Sequence, residues 1–466
     1  MTKKKLLFST LFLIMSLMEA RAYDAEIDGI YYTFSDYSAI VSRPGTGGNY
    51  SGAVVIPSTV SYNGFTYLVE TIGEWAFAES NLTSITIPET IASIENYAFS
   101  NCPLSKAEFA SIDHLLSIDF SGESSNPLYA AHHLYIDGHE VTSLSLPNID
   151  CIKNYTFAGF TGLTTLSIPS TITSIGVGAF KECSGLTSIS FGENLWSIGA
   201  SAFEGCDNIT SMEVPNSLIS IGSKAFSTKS KWYSDQSSGI VYIGKVAYGY
   251  KKVSGESLSI NINEGTLGIA DNAFYSISTL SVTIPNSVIY VGENAFPYIW
   301  EYNLPDGITY CGKVAYKFKG AIPASGEIEI SEGTVALGKN LFLNKVITSV
   351  SLPESLTIIE KSAFSGCKDL TAISLPESLS IIERGAFSGS GLSSIEIPEN
   401  VKEIGLNAFY ACDGLKRAAF ASLTSLFGLR LGNAASNPLY CAHYLYIDNK
   451  RVKKLTTPSN LTDIKP

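Results

Sequence analysis

The sequence predicts a β-rich solenoid, in which a short strand and an irregular return segment repeat as one rung. The segment from Leu370 to Cys412 contains the same pattern twice, 22 positions apart. Phenylalanines recur at steps of mostly 22 or 23 residues, and a proline usually lies eleven positions before each of them. A fixed period in the twenties means that one copy cannot bury its apolar face alone and must stack on its neighbours.

Each rung is predicted to contain a strand, a corner and a far wall. In Ile395-Glu396-Ile397, apolar and polar residues alternate, which is the pattern of a half-buried strand. Pro398 ends this strand because proline has no N–H to donate to a sheet. Ile404 then returns to the core, and Ala408-Phe409 forms the far wall.

Regular spacing of the far-wall phenylalanines predicts one stacked column. Each step of 22 or 23 residues corresponds to one rung, and the longer intervals between phenylalanines contain additional, irregular rungs. Together they predict about sixteen rungs. The phenylalanine column consists of Phe77, Phe99, Phe157, Phe180, Phe203, Phe226, Phe274, Phe296, Phe342, Phe364, Phe387 and Phe409.

Some intervals in this column are too long for one rung and predict inserted hairpins. Ser125–Gly138 returns in similar form as Ser436–Asn449, and the Gly-Lys-Val-Ala-Tyr ending at Tyr248 returns at Tyr316. Both pairs are predicted to form a strand, a tight turn and a second strand. Tyr248 and Tyr316 are predicted to replace the column phenylalanine.

The N-terminal residues predict a secretion signal. Three lysines, Lys3 to Lys5, precede an apolar run from Leu6 to Met18 and the small-x-small sequence Ala20-Arg21-Ala22. This layout is typical of a cleaved signal, and the apolar run is short for a membrane span. We therefore expect residues 1–22 to be removed and the mature chain to be secreted or displayed at the cell surface.

The mature chain is predicted to have two parts. Residues 23–52 lack the repeat and contain Asp28-Gly29 between possible strands, which favours an N-terminal β cap. Residues 53–466 are predicted to form the repeat array. Because no further far wall precedes Pro466, we expect the array to lack a C-terminal cap and to expose an edge for self-association.

The repeat resembles the BspA-type leucine-rich repeat of secreted and surface proteins from gut and oral bacteria. The resemblance rests on Leu-Thr-Ser-Ile-Ser-Ile-Pro, followed by Ile-Gly-x-x-Ala-Phe and Cys, and spans about Val54 to Ile464. It implies a leucine-rich repeat horseshoe and export. For some family members it also implies adhesion to host extracellular proteins or to other cells.

In each strand that ends Ile-x-Ile-Pro, the middle residue points away from the core. Stacked rungs would align these residues as a concave surface for a protein or glycan partner. The alternative is that they are simply solvent-facing strand residues whose hydroxyl groups bond across rungs. The predicted column is Thr86, Ser167, Ser190, Glu213, Thr283, Ser351, Ser374 and Glu396.

Aromatic residues cluster in or near the irregular rungs and are the second candidate contact surface. Exposed Trp and Tyr rings can stack on sugars or anchor a protein partner. The alternative is that these rings cover the core where rungs are irregular. The candidates are Trp196, Trp232, Tyr233, Tyr242, Trp300 and Tyr302.

Cysteines recur three residues after the column phenylalanine, at Cys102, Cys183, Cys206, Cys367 and Cys412. This position indicates a small buried slot that a free thiol can fill. A bridge between Cys183 and Cys206, which lie on adjacent rungs, is the alternative.

No catalytic, metal or cofactor site is predicted. His132-His133 and the Cys441-x-His443 pattern occupy equivalent places but do not agree in their ligands. The formal net charge of -12 disfavours nucleic acid and anionic membranes as partners.

These observations together predict an exported, non-catalytic binding or adhesion protein that does not insert into membranes. Its predicted partners are host extracellular proteins, glycoproteins or other cell surfaces. The alternative is a self-assembling structural component of the surface, in which copies associate through the uncapped C-terminal rung.

Overall fold

The computed structural model describes residues 23–45, 49–252, 259–278 and 281–454. The predicted signal and the predicted uncapped end, from residue 455 onward, lie outside these ranges. The chain is a β-solenoid of about sixteen turns with little helix, which confirms the predicted fold class. It divides into a first unit, Met1–Ser217 with Gly222–Gln236, and a second unit, Leu218–Ile221 with Ser237–Pro466.

The first unit contains mostly short strands. They are β1 Ala25–Ile27, β2 Ile30–Ser35, β3 Ser38–Val41, β4 Ser51–Val55, β5 Thr59–Tyr62, β6 Phe65–Ile72, β7 Asn81–Ile87, β8 Ser93–Ile94, β9 Lys106–Phe109, β10 Asp119–Phe120, β11 Leu134–Ile136, β12 His139–Glu140, β13 Cys151–Ile152, β14 Thr165–Ser167, β15 Ser174–Ile175, β16 Ser188–Ser190, β17 Ser197–Ile198 and β18 Ser211–Glu213. Its helices are α1 Ile112–Ser117, α2 Pro127–Ala131 and α3 Lys231–Ser234, with a 3-10 turn at Glu123–Ser125.

The second unit has the same character. Its strands are β19 Ser220–Ile221, β20 Gly239–Ile243, β21 Val246–Lys251, β22 Ser259–Asn261, β23 Gly268–Ile269, β24 Ser281–Thr283, β25 Tyr290–Val291, β26 Gly307–Cys311, β27 Val314–Lys319, β28 Glu327–Glu329, β29 Ala336–Leu337, β30 Ser349–Ser351, β31 Ile358–Ile359, β32 Ile381–Ile382, β33 Ser394–Ile397, β34 Glu403–Ile404, β35 Arg417–Phe420, β36 Arg430–Leu431, β37 Tyr444–Ile447 and β38 Lys450–Arg451. Its helices are α4 Tyr298–Tyr302 and α5 Leu423–Phe427, with 3-10 turns at Ala434–Ser436 and Pro438–Tyr440.

Strands of successive rungs pair in parallel and form two separate rows. The long-strand row comprises the sheets β12-β11-β9-β7-β4 and β14-β16-β18 in the first unit, and β22-β24, β28-β30 and β33-β35-β37-β38 in the second. The short-strand row comprises β3-β6-β8-β10 and β13-β15-β17, and then β21-β23-β25 and β27-β29-β31-β32-β34-β36. The sequence predicted only a corner where the short-strand row lies, because most of its strands are two residues long and too short to show an alternating pattern.

The phenylalanine column is buried throughout, and its rings stack wherever regular rungs follow one another directly. All twelve rings are at most 2% exposed. The centroids of Phe180 and Phe203 lie 5.3 Å apart with an interplanar angle of 3°, and those of Phe364 and Phe387 lie 5.4 Å apart at 6°. The backbone N–H of Phe364 donates to the carbonyl oxygen of Ala386 on the next rung at 2.8 Å. The predicted burial of the twelve rings is therefore confirmed, and their stacking is confirmed within each run of consecutive regular rungs.

A left-handed residue stands two positions before the column phenylalanine on most rungs. At Asn272, Asn294 and Asn407 the φ angles are 57°, 51° and 58°. Asparagine and glycine tolerate this conformation better than other residues do, because the Cβ atom otherwise clashes with the backbone. The left-handed conformation is therefore a constant feature of the turn into the far wall, and asparagine suits it, although Trp75 and Lys224 adopt it as well.

The cysteines that follow the column phenylalanines are free thiols, so the alternative of a Cys183–Cys206 bridge is wrong. The Cys183 thiol donates to the carbonyl oxygen of Phe157, 3.2 Å away, and Cys206 donates in the same way to Phe180 at 3.1 Å. Burial raises the pKa of the Cys183 thiol well above its usual value. The cysteine therefore satisfies a buried carbonyl group of the preceding rung.

Hairpins interrupt the regular rungs, largely as predicted. β20 pairs with β21 and β26 pairs with β27, both antiparallel. Tyr316 packs edge-to-face on Phe296 with ring centroids 5.4 Å apart. The Ser125–Tyr129 segment, predicted as a strand, is helical, because the Asn126 side chain accepts from Leu128 N–H at 2.9 Å and Pro127 starts α2.

The first strands form antiparallel hairpins before the parallel rows begin. β1 and β2 are joined by Asp28 and Gly29, whose positive φ angles of 51° and 78° are those of a tight hairpin turn, as predicted. The boundary predicted after residue 52 falls inside β4. β3 already pairs in parallel with β6, so the solenoid ladder reaches back into the predicted cap.

One carboxyl group is fully enclosed in the second unit. Glu360 is 0% exposed, and among the described residues neither of its carboxyl oxygens has a hydrogen-bond partner. Desolvation and then repulsion from Glu383 raise the pKa of Glu360 well above its usual value, although Lys339 acts in the opposite direction. The Glu360 side chain therefore keeps its proton to a higher pH than an exposed glutamate does.

Replacement of Phe387 by alanine is expected to lower the free energy of unfolding by about 3–5 kcal/mol, because it leaves a cavity in the stacked column. Urea denaturation of the mature chain measures the loss. Tyr410→Ala is the matched control, since that ring is on the next rung and is 53% exposed. An equal loss in the two variants would contradict the importance of the column.

The enclosed Glu360 carboxyl group predicts a pH effect on stability. Its folded-state pKa lies above the ordinary value of 4.5, so its contribution to stability is complete below 4.5 and is lost as the pH rises towards the folded-state value. The loss is at most about 1.4 kcal/mol per pH unit within this window. Glu360→Gln should therefore match the parent near pH 4 and exceed its stability near pH 8, as measured by urea denaturation.

Exposed Glu377 supplies the control for this comparison, because Glu377→Gln should not change the pH dependence. If the Glu360→Gln variant loses stability between pH 5 and 8 as steeply as the parent does, Glu360 is not the cause of the pH dependence.

Candidate binding face

The outward-facing side chains of the long-strand row form the candidate binding face. On β14, β16 and β18 the predicted column residues Ser167, Ser190 and Glu213 are direct neighbours in register. Ser167 and Glu213 are exposed, and Ser190 is half-buried. In this part of the first unit the sequence-predicted residues do form one accessible row.

The other predicted residues lie beside residues that the sequence pattern missed. Thr86 lies between Val55 and Glu108, Thr283 beside Asn261, and Ser351 beside Glu329. Glu108, Asn261 and Glu329 were missed because their strands are not followed by proline. Val55 does precede Ile56-Pro57, but it is apolar and does not show the alternation of apolar and polar residues. Ile260-Asn261-Ile262 and Ile328-Glu329-Ile330 keep the Ile-x-Ile alternation, which would have identified them.

A groove interrupts the face in the second unit and contains the last two predicted residues. The segment Thr371–Pro376, which includes Ser374, does not form a strand, so β30 and β33 belong to different sheets. The groove has a volume of about 560 Å³ and is lined by Ser374 and Glu396 together with Arg417. Small residues, Ala372 and Ala419, contribute to its lining. The last two residues of the predicted column therefore meet here in one depression.

Most of the predicted aromatic residues are half-buried and cover the core. The centroid of the Trp232 ring lies 6.3 Å from the ring centroids of Phe226 and of Tyr233. The ring centroids of Trp300 and Phe296 lie 4.5 Å apart. The Asn263 N–H donates to the Tyr242 hydroxyl group at 2.9 Å, and Trp196 is also half-buried.

Tyr302 differs from the other five because it is 64% exposed. Its ring lies 6.0 Å from that of Tyr298, which is 71% exposed and lies on the same helix, α4. The Lys319 ammonium group lies 5.5 Å from the centre of the Tyr302 ring. These two tyrosines are a small accessible aromatic surface in the second unit.

Two similar modules, one in each unit, place a cation over a tyrosine on the long-strand face. In the first module, the Lys106 ammonium group lies 4.6 Å from the centre of the Tyr135 ring. Lys106 also pairs with Glu108 at 2.9 Å, and Glu108 accepts from Gly138 N–H at 2.6 Å. Lys106, together with the Gly138 N–H group, holds the pKa of Glu108 below its usual value.

The second module keeps the cation but changes its surroundings. The Arg417 guanidinium lies 4.5 Å from the centre of the Tyr446 ring, and its Nη2 donates to Asn449 Oδ1 at 2.7 Å. Ala419 pairs in register with Tyr446, as Glu108 pairs with Tyr135. Arg451 pairs in register with Tyr446, as Glu140 pairs with Tyr135 in the first module. The Arg451 guanidinium lies 3.8 Å from the centre of the Tyr444 ring. Among the described residues, no ion pair includes Arg417 or Arg451.

His132 and His133 are engaged locally. His132 Nδ1 lies 3.2 Å from the carbonyl oxygen of Gly159, and His133 Nδ1 lies 2.6 Å from Glu140 Oε1. No group of three or more His, Cys, Asp or Glu residues in the described ranges is arranged to hold a metal ion. In the same ranges no helix has the length and apolar character needed to cross a membrane.

Comparison with known proteins places these features in a family. The model of the BspA type leucine-rich repeat region matches residues 59–126, 135–253, 238–324 and 335–430, in six copies. A comparison with curated proteins gives no match.

Solved structures of other bacterial repeat proteins align with the chain at low identity. A leucine-rich repeat protein from Bacteroides ovatus aligns at 21% identity over 88% of this chain and 99% of that chain, with a TM-score of 0.33. A leucine rich cell surface protein from Faecalibacterium prausnitzii aligns at 21% identity over 87% of this chain and 93% of that chain, with a TM-score of 0.28. The pneumococcal vaccine antigen PcpA aligns at 18% identity over 92% of this chain and 88% of that chain, with a TM-score of 0.27.

The family match covers well over half of the chain, and the matched residues include most of the rungs described above. The chain belongs to the BspA-type leucine-rich repeat family.

Proposed function

We propose that this protein acts outside the cytoplasm as a non-catalytic binding protein, whose long-strand face contacts a protein or glycan partner. The observation that carries the proposal is the groove between β30 and β35, where Ser374, Glu396 and Arg417 line one depression. Export is supported by the basic, apolar and small-x-small order of residues 1–22.

The chemistry of the face suits recognition. Ser and Thr lose little side-chain entropy on binding, and strands hold them in fixed positions. Their hydroxyl groups both donate and accept hydrogen bonds. Arg417 and Tyr446 at the edge of the groove belong to the residue types that contribute most to interface energy.

The non-catalytic part of the proposal rests on the state of the reactive side chains. The Cys183 thiol is buried and donates to a carbonyl group, and its pKa is raised, so it does not supply a thiolate nucleophile. Glu360, whose pKa is also raised, is enclosed and out of reach of a substrate.

The proposal predicts that the mature chain, immobilised from residue 23 onward, captures a partner from a panel of extracellular-matrix proteins, mucins and intact cells. Ser190→Arg and Ser374→Arg place a bulky cation on the long-strand face of each unit. At least one of them should weaken capture tenfold or more, measured by surface plasmon resonance or cell adhesion.

Thr228→Arg and Ser276→Arg are the matched controls, because both residues are exposed and lie in turns away from the long strands. They should leave capture unchanged. Loss of capture in all four variants, or in none, would argue against the long-strand face as the contact surface. Absence of any captured partner, together with concentration-dependent oligomers in sedimentation, would favour the self-assembling component instead.

A further inference from the structure

We infer that the second module, at Arg417, Arg451, Tyr444 and Tyr446, binds the acid group of an acidic oligosaccharide, whose sugar rings occupy the adjoining groove. This inference rests on the proposed function and names the ligand class for part of the same face. Its starting point is the difference between the two modules, which share one backbone arrangement and differ in charge.

The first module neutralises its own cation. Glu108 pairs with Lys106, and Glu140 lies 2.6 Å from His133, which directly precedes the neighbouring strand β11. Carboxylates therefore already occupy the positions that an anionic ligand would take.

The second module replaces both carboxylates. Ala419 stands in place of Glu108, and Arg451 in place of Glu140. Two guanidinium groups then share one face with Tyr444 and Tyr446, and among the described residues no carboxylate pairs with either of them. A local cluster of positive charge thus arises in a chain whose formal net charge is -12. Such a cluster attracts anions over distances of about a Debye length, roughly 10 Å at 0.1 M salt.

Arg417 is held in position for this role before any ligand arrives. Its guanidinium lies over the Tyr446 ring, and Asn449 accepts from Nη2. A guanidinium group has five N–H donors, so most of its capacity remains unused. The Nε atom is covered and has no acceptor among the described residues. A planar, pre-oriented guanidinium matches the two oxygens of a carboxylate or a sulfate group.

The lining of the groove favours sugar over peptide. Ser349, Ser374 and Ser394 contribute hydroxyl groups, and Glu377 and Glu396 contribute carboxylate acceptors. These groups suit the many hydroxyl groups of an oligosaccharide, whereas the two carboxylates would repel a run of acidic side chains. Ala372, Ala419 and Ala421 leave the floor open for a ring. The acid group of the ligand would lie at Arg417 and the neutral rings in the groove.

The experiment uses the full mature chain and five probes: 3′-sialyllactose, tetragalacturonate, lactose 3′-sulfate, lactose and hexaglutamate. Binding is measured by calorimetry and ligand-observed NMR. We expect at least one of the three acidic sugars to bind and lactose to fail. The three acidic sugars distinguish a sialic acid, a uronic acid and a sulfate. Affinity should fall between 50 and 300 mM NaCl, because ion pairs at an exposed site are screened.

Two variants test the assignment. Arg417→Gln removes the cation, and Ala419→Glu restores the carboxylate of the first module beside it. Each should weaken binding about tenfold or more, the usual effect of losing a charge-assisted hydrogen bond. Lys106→Gln is the matched control in the first module and should leave binding unchanged. Unchanged thermal melting of each variant excludes a folding defect.

Several results would overturn the inference. They are equal binding of lactose, binding of hexaglutamate without any acidic sugar, no binding of any acidic sugar at several millimolar, and unchanged affinity in Ala419→Glu. If a partner is still captured in the panel and depends on Ser190 or Ser374, only this inference fails. If no partner is captured at all, the proposed function fails with it.

Discussion

Stacking between neighbouring rungs is the constraint on which the rest of the structure depends. A single rung has one phenylalanine ring and a few aliphatic side chains, which cannot exclude water alone. The ring of Phe387 is covered by Phe364 on one side and Phe409 on the other, at 5.4 and 5.5 Å. The cysteine thiols support this stack because they donate hydrogen bonds to carbonyl groups of the phenylalanines. The left-handed asparagines support it because they turn the chain towards the stack.

The same constraint leaves the outward side of the long strands free to vary. Alternate strand residues face the core and must stay apolar, whereas the residues between them meet solvent. On Ser188–Ser190 and its neighbours these are serines, a threonine and a carboxylate, all in register. Where the ladder stops at Thr371–Pro376, the face opens into a groove without loss of the buried column beneath it.

The two similar modules share one backbone arrangement but differ in the charge of their side chains. Lys106 over Tyr135 and Arg417 over Tyr446 have nearly the same geometry, at 4.6 and 4.5 Å. The exchange of Glu108 for Ala419 changes no strand pairing, yet it removes the ion pair that neutralises the first cation. A repeat fold can therefore alter its surface electrostatics one rung at a time, because each rung contacts only its neighbours.

The sequence alone determined the rung, its period, the buried phenylalanine column and the outward row at Ser167, Ser190 and Glu213, because these follow from local alternation and fixed spacing. It did not reveal the short-strand row, since two-residue strands carry no period, nor the helical turn at Asn126, which depends on side-chain capping. Tertiary structure alone decided that Ser374 and Glu396 meet Arg417 in one groove and that most candidate tryptophans cover the core. The groove depends on the loss of strand pairing at Thr371–Pro376, and the burial of the tryptophans depends on how the irregular segments pack on the core; spacing along the chain encodes neither.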